Sequence, residues 1–307
     1  MQQPRQVYIL LNRKAGQVRN GNPHEIAAAI CQPFQERGDK VDLRFFMPAN
    51  AKKVVEQLSQ DPTPDLIVVG GGDGTLSLFA SRLFDHSAHL AFLPLGTMNL
   101  FVRSLQLPLD PVEAARLIAH GRSRRIDMGM VNGQHFLHHV SLGLHPKLVR
   151  HRNTFRYGSA AGKIAASARA FFLTIRRPPR LAFSLQLDEQ NAGNHTSSAV
   201  VISNNLLGAG HLPYPDRLNE SKLGIYICTG NDWQEILKVG VDTIVGRIDN
   251  NPHMKVASGK HVTLQFSKRE KRRFRASIDG ELTKLNQPIL ARSLPQALKV
   301  MVPSRTA

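Results

Sequence analysis

The chain has 307 residues, 42% hydrophobic and 6% aromatic, with 40 Lys and Arg against 23 Asp and Glu for a formal charge of +17. That length suits two modest domains better than one, and the charge points to polyanions: nucleic acid, an anionic membrane surface or nucleotide phosphates. Cys31 and Cys228 lie far apart in apolar surroundings, have no C-x-x-C spacing for metal or redox work, and read as reduced core thiols of a cytoplasmic protein; no secretory leader is expected, since residues 1–5 lead directly into a strand, and no apolar run of about 18 residues able to span a membrane occurs in the sequence.

Residues 7–11 form an apolar run that predicts a buried strand, followed by a loop at 12–16 and a helix at 23–37, the opening of a βα unit. A strand at 41–46, a helix at 51–59 and a strand at 66–70 come next. This third strand ends in Gly70-Gly71-Gly72-Asp73-Gly74-Thr75, after which 76–80 resumes as a helix. A fourth strand at 90–93 ends in Pro94-Leu95-Gly96-Thr97-Met98-Asn99. Asp110 then caps a helix whose first residue is Pro111. Strands and helices alternating at these lengths imply a Rossmann-like, three-layer α/β domain with a parallel sheet, spanning 1–127.

Near Arg125 the pattern changes. Residues 126–131 and 135–144 flank Asn132-Gly133 and read as a hairpin with a type I′ turn. Strand-like runs at 181–187, 199–203, 223–229, 261–267, 274–278 and 298–302 make 128–307 a mostly antiparallel β-sandwich, its final segment able to pack back on the first domain. Helices are expected at 159–175 and 233–245. The polar stretch 188–198 reads as a loop.

The glycine run carries the first chemical signal. Glycines let the backbone pass close to a phosphate with no Cβ in the way, and the N-terminus of the following helix adds partial positive charge. Asp73 and Thr75 add side-chain oxygens for a metal, a ribose or the turn itself. The segment Gly158-Ser159-Ala160-Ala161-Gly162-Lys163 falls short of a Walker A loop, since its glycines are one residue too close and Ile164 stands where Ser or Thr belongs; it reads as a helix start. No G-x-S-x-G elbow or H-E-x-x-H helix occurs. The 13 histidines, His138-His139 among them, show no metal-ligand spacing. The basic runs 147–156 and 268–273 fit either a solvated loop and hairpin tip or an anionic membrane contact, and the scarcity of aromatics argues against specific nucleic-acid binding. In Ser277-Ile278-Asp279-Gly280-Glu281-Leu282 two carboxylates flank a glycine. On a strand Asp279 and Glu281 would face the same way, which suits a kinase that needs a carboxylate for the proton of the attacking hydroxyl; an acidic hairpin turn is the other reading.

Four segments together, 71–75, 94–101, Ile126-Asp127-Met128-Gly129 and Asp279-Gly280-Glu281, resemble the diacylglycerol-kinase catalytic-domain family, and within it the soluble bacterial lipid kinases. The resemblance extends in order over nearly the whole chain and includes 12–16, similar to the family's first nucleotide loop. It implies a two-domain kinase with ATP and Mg²⁺ as cofactors and the nucleotide in a cleft. Asn12, Gly70, Gly71, Gly72, Asp73, Gly74, Thr75, Gly96, Thr97 and Asn99 would bind the nucleotide, with Asp73 also among the catalytic residues. Glu281 would accept the proton with Asp279 beside it. Asp127 would join a water and magnesium network, and Glu220 would stand in an accessory magnesium loop, here Glu220-Ser221-Lys222-Leu223. This chain departs from the family pattern at Ser77 and Leu78, where Asn and Glu are usual, at Leu100, where Asp is usual, and in the accessory loop, where Glu220 and Ser221 stand in place of the usual Asp and Gly. The implied acceptor is diacylglycerol or a related lipid, in phospholipid biosynthesis, by an enzyme peripheral on the inner membrane face; a homodimer stands among the partner expectations. Two alternatives stay open: an NAD-kinase-like phosphotransferase on a soluble acceptor, and a non-catalytic nucleotide-binding module that docks on membranes.

Overall fold

The computed structural model describes residues 3–154, 174–176, 178–266 and 273–304. The helix expected at 159–175 lies outside them except for its last two residues, as do the segment 158–163 and the basic run 268–273 up to Arg273. The chain divides into two compact units, Met1–Met128 with Pro295–Ala307, and Gly129–Leu294.

In unit 1, β1 (Gln6–Asn12), β2 (Lys40–Phe46), β3 (Leu66–Gly71) and β4 (His89–Pro94) pair in parallel in the order β2-β1-β3-β4. The second half of β16 (Ile289–Val302) continues beside β4, also parallel, with Val300 opposite Leu90. Along β3 every residue is buried, and along β1 and β4 every residue but the first. Successive strand residues point to opposite faces, so such runs form only where both faces are covered. The cover comes from helices: α2 (Pro23–Glu36) packs beside α6 (Pro111–Ala119), and α3 (Ala51–Ser59) beside α4 (Asp73–Leu83). Asp110 caps α6 by accepting from the amides of Val112 and Glu113 at 2.9 Å each. Two one-turn helices, α1 (Gly16–Asn20) and α5 (Leu100–Ser104), follow β1 and the 94–99 loop.

Unit 2 contains two antiparallel sheets. One has the order β12 (Met254–Gly259), β11 (Leu223–Cys228), β10 (Ala199–Asn204), β7 (His139–Gly143), β14 (Arg273–Ile278), β15 (Glu281–Asn286). The other runs from the first half of β16 through β13 (His261–Phe266) and β8 (Leu181–Leu187) to β9 (Gln190–Ser197). The end of β5 (Arg122–Val131) forms a hairpin with β6 (Gln134–Phe136) across Asn132 and Gly133, at φ 43° and 80°, the positive pair of a type I′ turn. One core holds the inward residues of both sheets, among them Phe136, Val140, Ile202, Ile225, Phe183, Leu264 and Phe266. Two helices, α7 (Leu144–Thr154) and α8 (Trp233–Ile244), complete the unit.

Four sequence expectations change. The run 135–144 is broken: β6 ends at Phe136, β7 begins at His139, and Leu144 already starts α7. The basic stretch from 147 therefore lies on a helix through Thr154 instead of a loop. The polar stretch 188–198 is largely β9, an exposed strand whose backbone pairs with β8 after Asp188 and Glu189 turn the chain with φ of 47° and 70°; with so little of it buried, no apolar alternation marks it. Finally β12 and β15 are strands that the sequence reading leaves unassigned, and β16 begins nine residues earlier than the run at 298–302.

Candidate active site

In unit 1 the glycine run straddles the exit of β3. Gly70 and Gly71 close the strand, Gly72 is the N-cap of α4, and Asp73 is its first residue. Packing requires these glycines for different reasons. A Cβ on Gly70 would lie 2.6 and 2.7 Å from side-chain carbons of Leu95 and Leu11, and one on Gly96 would lie 2.5 Å from the Cα of Gly72. The two loops therefore meet backbone to backbone. A Cβ on Gly74 would meet nothing within 4 Å, so this glycine leaves open space above the helix start. The first intrahelical bonds are made by Thr75 and Leu76 to the Gly72 carbonyl at 2.8 and 3.1 Å. Asp73 and Gly74 thus present the first-turn amides that a helix cannot satisfy itself.

Side chains fix this pair of loops. Asn12, buried at the end of β1, donates from Nδ2 to Thr75 Oγ1 at 3.1 Å and accepts from the Lys14 amide at 3.0 Å. Buried Asn99 takes a left-handed conformation, φ 51°, and closes the 96–99 loop: its Oδ1 accepts from the Gly96 amide at 2.9 Å and its Nδ2 donates to the Gly96 carbonyl at 3.2 Å. Asp73 Oδ1 accepts from the Phe101 amide at 3.1 Å, which pins the start of α5 to the start of α4. Thr97 is exposed. Asp127 is fully buried, and its Oδ1 accepts from the Gln296 amide at 2.9 Å, within unit 1. Exposed Arg13 and Lys14 directly follow Asn12; they add positive charge that the sequence reading does not single out, although a basic pair directly after β1 is a visible signal.

In unit 2, Asp279 and Gly280 are the two-residue turn between β14 and β15, with φ of 48° and 87°. The strand geometry that would aim Asp279 and Glu281 the same way is replaced by a hairpin turn. The Asp279 carboxylate accepts from three consecutive amides, Leu137 at 2.7 Å, His138 at 2.8 Å and His139 at 2.9 Å, and the Asp279 amide donates to the His139 carbonyl at 2.9 Å. Asn204 Nδ2 donates to the Leu137 carbonyl at 3.1 Å from the same unit. This clamp is why the chain breaks between β6 and β7. An Asp-Gly pair is a strong hairpin signal, and it marks the turn in the sequence; the three amides it binds carry no side-chain signal. Glu281 opens β15 and is exposed.

Behind the clamp, Ser141 Oγ lies 2.7 Å from His145 Nδ1, and the His145 ring is 5.5 Å from that of His139. Burial pushes the His139 imidazole down to about 4, the charge of His145 and then of His138 adds to this, and the Asp279 carboxylate pulls the other way. Glu220 is half-buried and lies 3.8 Å from Arg217. Among the described residues no group of three or more His, Cys, Asp or Glu is arranged to hold a metal, and no helix is long and apolar enough to cross a membrane.

Residues 6–131 match the diacylglycerol kinase catalytic domain. A protein of Staphylococcus epidermidis named "Putative lipid kinase" is 28% identical over 257 residues, covering 77% of this chain and 76% of its own. The diacylglycerol kinase of Bacillus subtilis is 25% identical over 221 residues, 71% of each chain. The crystal structure of a diacylglycerol kinase from Bacillus anthracis superposes with a TM-score of 0.72 at 20% identity, over all of both chains, and so has the same fold. The segment 6–131, which contains both glycine loops, is thus similar to the catalytic domain of diacylglycerol kinases, a family of kinases.

Proposed function

We propose that this protein is a lipid kinase that transfers the γ-phosphate of ATP to the hydroxyl of diacylglycerol or a related lipid. The observation that carries the reading is the backbone contact of Gly72 with Gly96 inside a diacylglycerol-kinase-like segment. Two loops that meet without side chains leave main-chain N–H groups and the start of α4 as the surface for phosphate. Asn12 and Asn99 hold the loops in place, so little reorganisation is left for the moment of transfer.

The residues also fit a metal that arrives with the nucleotide. No cage of protein ligands is present among the described residues, and Mg²⁺ is commonly held by one or two carboxylates together with substrate phosphates. When bound, Mg²⁺ neutralises charge on the phosphates. Glu281, exposed at the head of β15, takes the proton of the lipid hydroxyl as its oxygen bonds to phosphorus and the bond to the departing ADP breaks. In this reading Asp279 acts by fixing the turn that carries Glu281.

Labelled ATP, Mg²⁺ and a total bacterial lipid extract should yield a labelled, chloroform-soluble product. Glu281→Gln should lower its formation by about 10²-fold or more with the melting temperature unchanged. Label appearing only in an aqueous product would replace the reading with a soluble acceptor. ATP binding without turnover, unchanged in Glu281→Gln, would replace it with a non-catalytic module.

A further inference from the structure

Helix α8 carries apolar residues on two sides. Ile236 and Val239 are buried with Ile175 and Cys228, and Leu144, Ala199 and Met254 pack against them. A second stripe turns outward: Trp233 is 46% exposed, Leu237 39%, Val241 50% and Ile244 60%, and Val245, the residue after the helix, is 45% exposed. Positions 233, 237, 241 and 244 repeat every three or four residues and so fall on one line along the helix. The helix is well formed around this stripe. Asp232 caps it by accepting from the amides of Gln234 and Glu235, and Gly246, at φ 72°, ends it.

We infer that this outward stripe of α8 is the element by which unit 2 inserts into an anionic lipid surface, an inference that rests on the lipid-kinase reading for its purpose. Charge supports the choice of partner. The acids on the helix are held by local groups: Asp232 by the cap, Glu235 by the Asn231 amide at 2.7 Å, and Asp242 by Asn251 Nδ2 at 2.6 Å. Lys238 and Arg247 are exposed and have no carboxylate partner among the described residues. Residues 129–294 contain 23 of the 40 Lys and Arg and 11 of the 23 Asp and Glu. A 12-residue helix is about 18 Å long, so a stripe one side chain wide covers on the order of 200 Å² per copy, far below the roughly 800 Å² per partner of a stable interface. A second copy is therefore a poor occupant. A helix with an apolar stripe, a polar flank and a tryptophan at one end matches what lies in the headgroup region of a bilayer.

The chain has one tryptophan, so Trp233 reports on the stripe directly. With vesicles of phosphatidylglycerol mixed with phosphatidylcholine, its emission should move to the blue and be quenched by brominated acyl chains. Leu237→Asp combined with Ile244→Asp should weaken vesicle binding by about tenfold or more, with the melting temperature and the phosphorylation of detergent-dispersed diacylglycerol unchanged; Leu237→Ala with Ile244→Ala should fall between. Raised salt should remove the part of the binding due to charge and leave a remainder that the double Asp variant lacks. Emission unmoved by vesicles, or a double Asp variant that binds like the parent, overturns the inference. So does a dimer in sedimentation that the double variant disperses. Failure of the lipid-kinase reading looks different: no lipid product from detergent-dispersed substrate, whatever Trp233 does on vesicles.

Discussion

The glycine loops of unit 1 and the Asp279-Gly280 turn of unit 2 reach order by opposite means. In the loops the glycines are the constraint. Gly70 and Gly96 have no room for a Cβ, and the side chains of Asn12 and Asn99 lock what the close approach creates. In the turn the glycine has open space around it, and the constraint is a carboxylate gripping three amides. Both regions use an aspartate that chemistry alone would assign to a metal or a substrate, and both tie it to backbone: Asp73 to Phe101, Asp279 to 137–139. The lesson is that an acidic residue beside a glycine is as readily part of the frame as part of the reaction.

That contrast can be broken by substitution. Asp279→Ala leaves three amides without their acceptor and should lower unfolding free energy by about 3 kcal/mol, measured by urea denaturation; Asp73→Ala takes the acceptor from the Phe101 amide and should cost about 1 kcal/mol. Equal costs would mean that the clamp is not the stronger frame. Acid tests the same clamp next. Since the His139 imidazole sits near 4 in the fold against an ordinary 6.5, the unfolded chain binds the extra proton between those values. Stability should be full above about pH 6.5 and decline as pH falls towards 4, by roughly 2–3 kcal/mol in total. His139→Gln should flatten that slope. In the loops, Gly96→Ala forces a Cβ against the Gly72 backbone and should cost about 2 kcal/mol together with most nucleotide affinity. Gly280→Ala is strained only by its φ of 87° and should cost about 1 kcal/mol. Gly74→Ala, on a helix and in open space, should be neutral to within about 0.5 kcal/mol; a loss of ATP binding there without a loss of stability would show that a phosphate needs that space.

The sequence displays the parts of this molecule that burial makes periodic or continuous. Residues 66–70 and 90–93 are legible as strands because both faces of the unit 1 sheet are covered, and Asp110-Pro111 is legible as a helix start because cap and proline act locally. Strand β9 is not legible, because its side chains are exposed and only main-chain pairing makes it a strand. The same division runs through the site. Gly70 to Gly72, Gly96 and Asn99 can be read from composition and order, whereas the partner of Asp279 is three main-chain amides about 140 positions away, and amides look alike in every residue.

The last strand of unit 1 also sets an order of events. Val300 pairs with Leu90 in the finished sheet, yet roughly 200 residues separate them along the chain, a long loop to close. At ribosomal speeds of about 5–20 residues per second, β4 emerges about 10–40 s before its neighbour exists. For that interval the parallel sheet that carries both glycine loops has a bare apolar edge. Unit 1, although begun first, therefore cannot complete its sheet until its last segment, Pro295–Ala307, has been made.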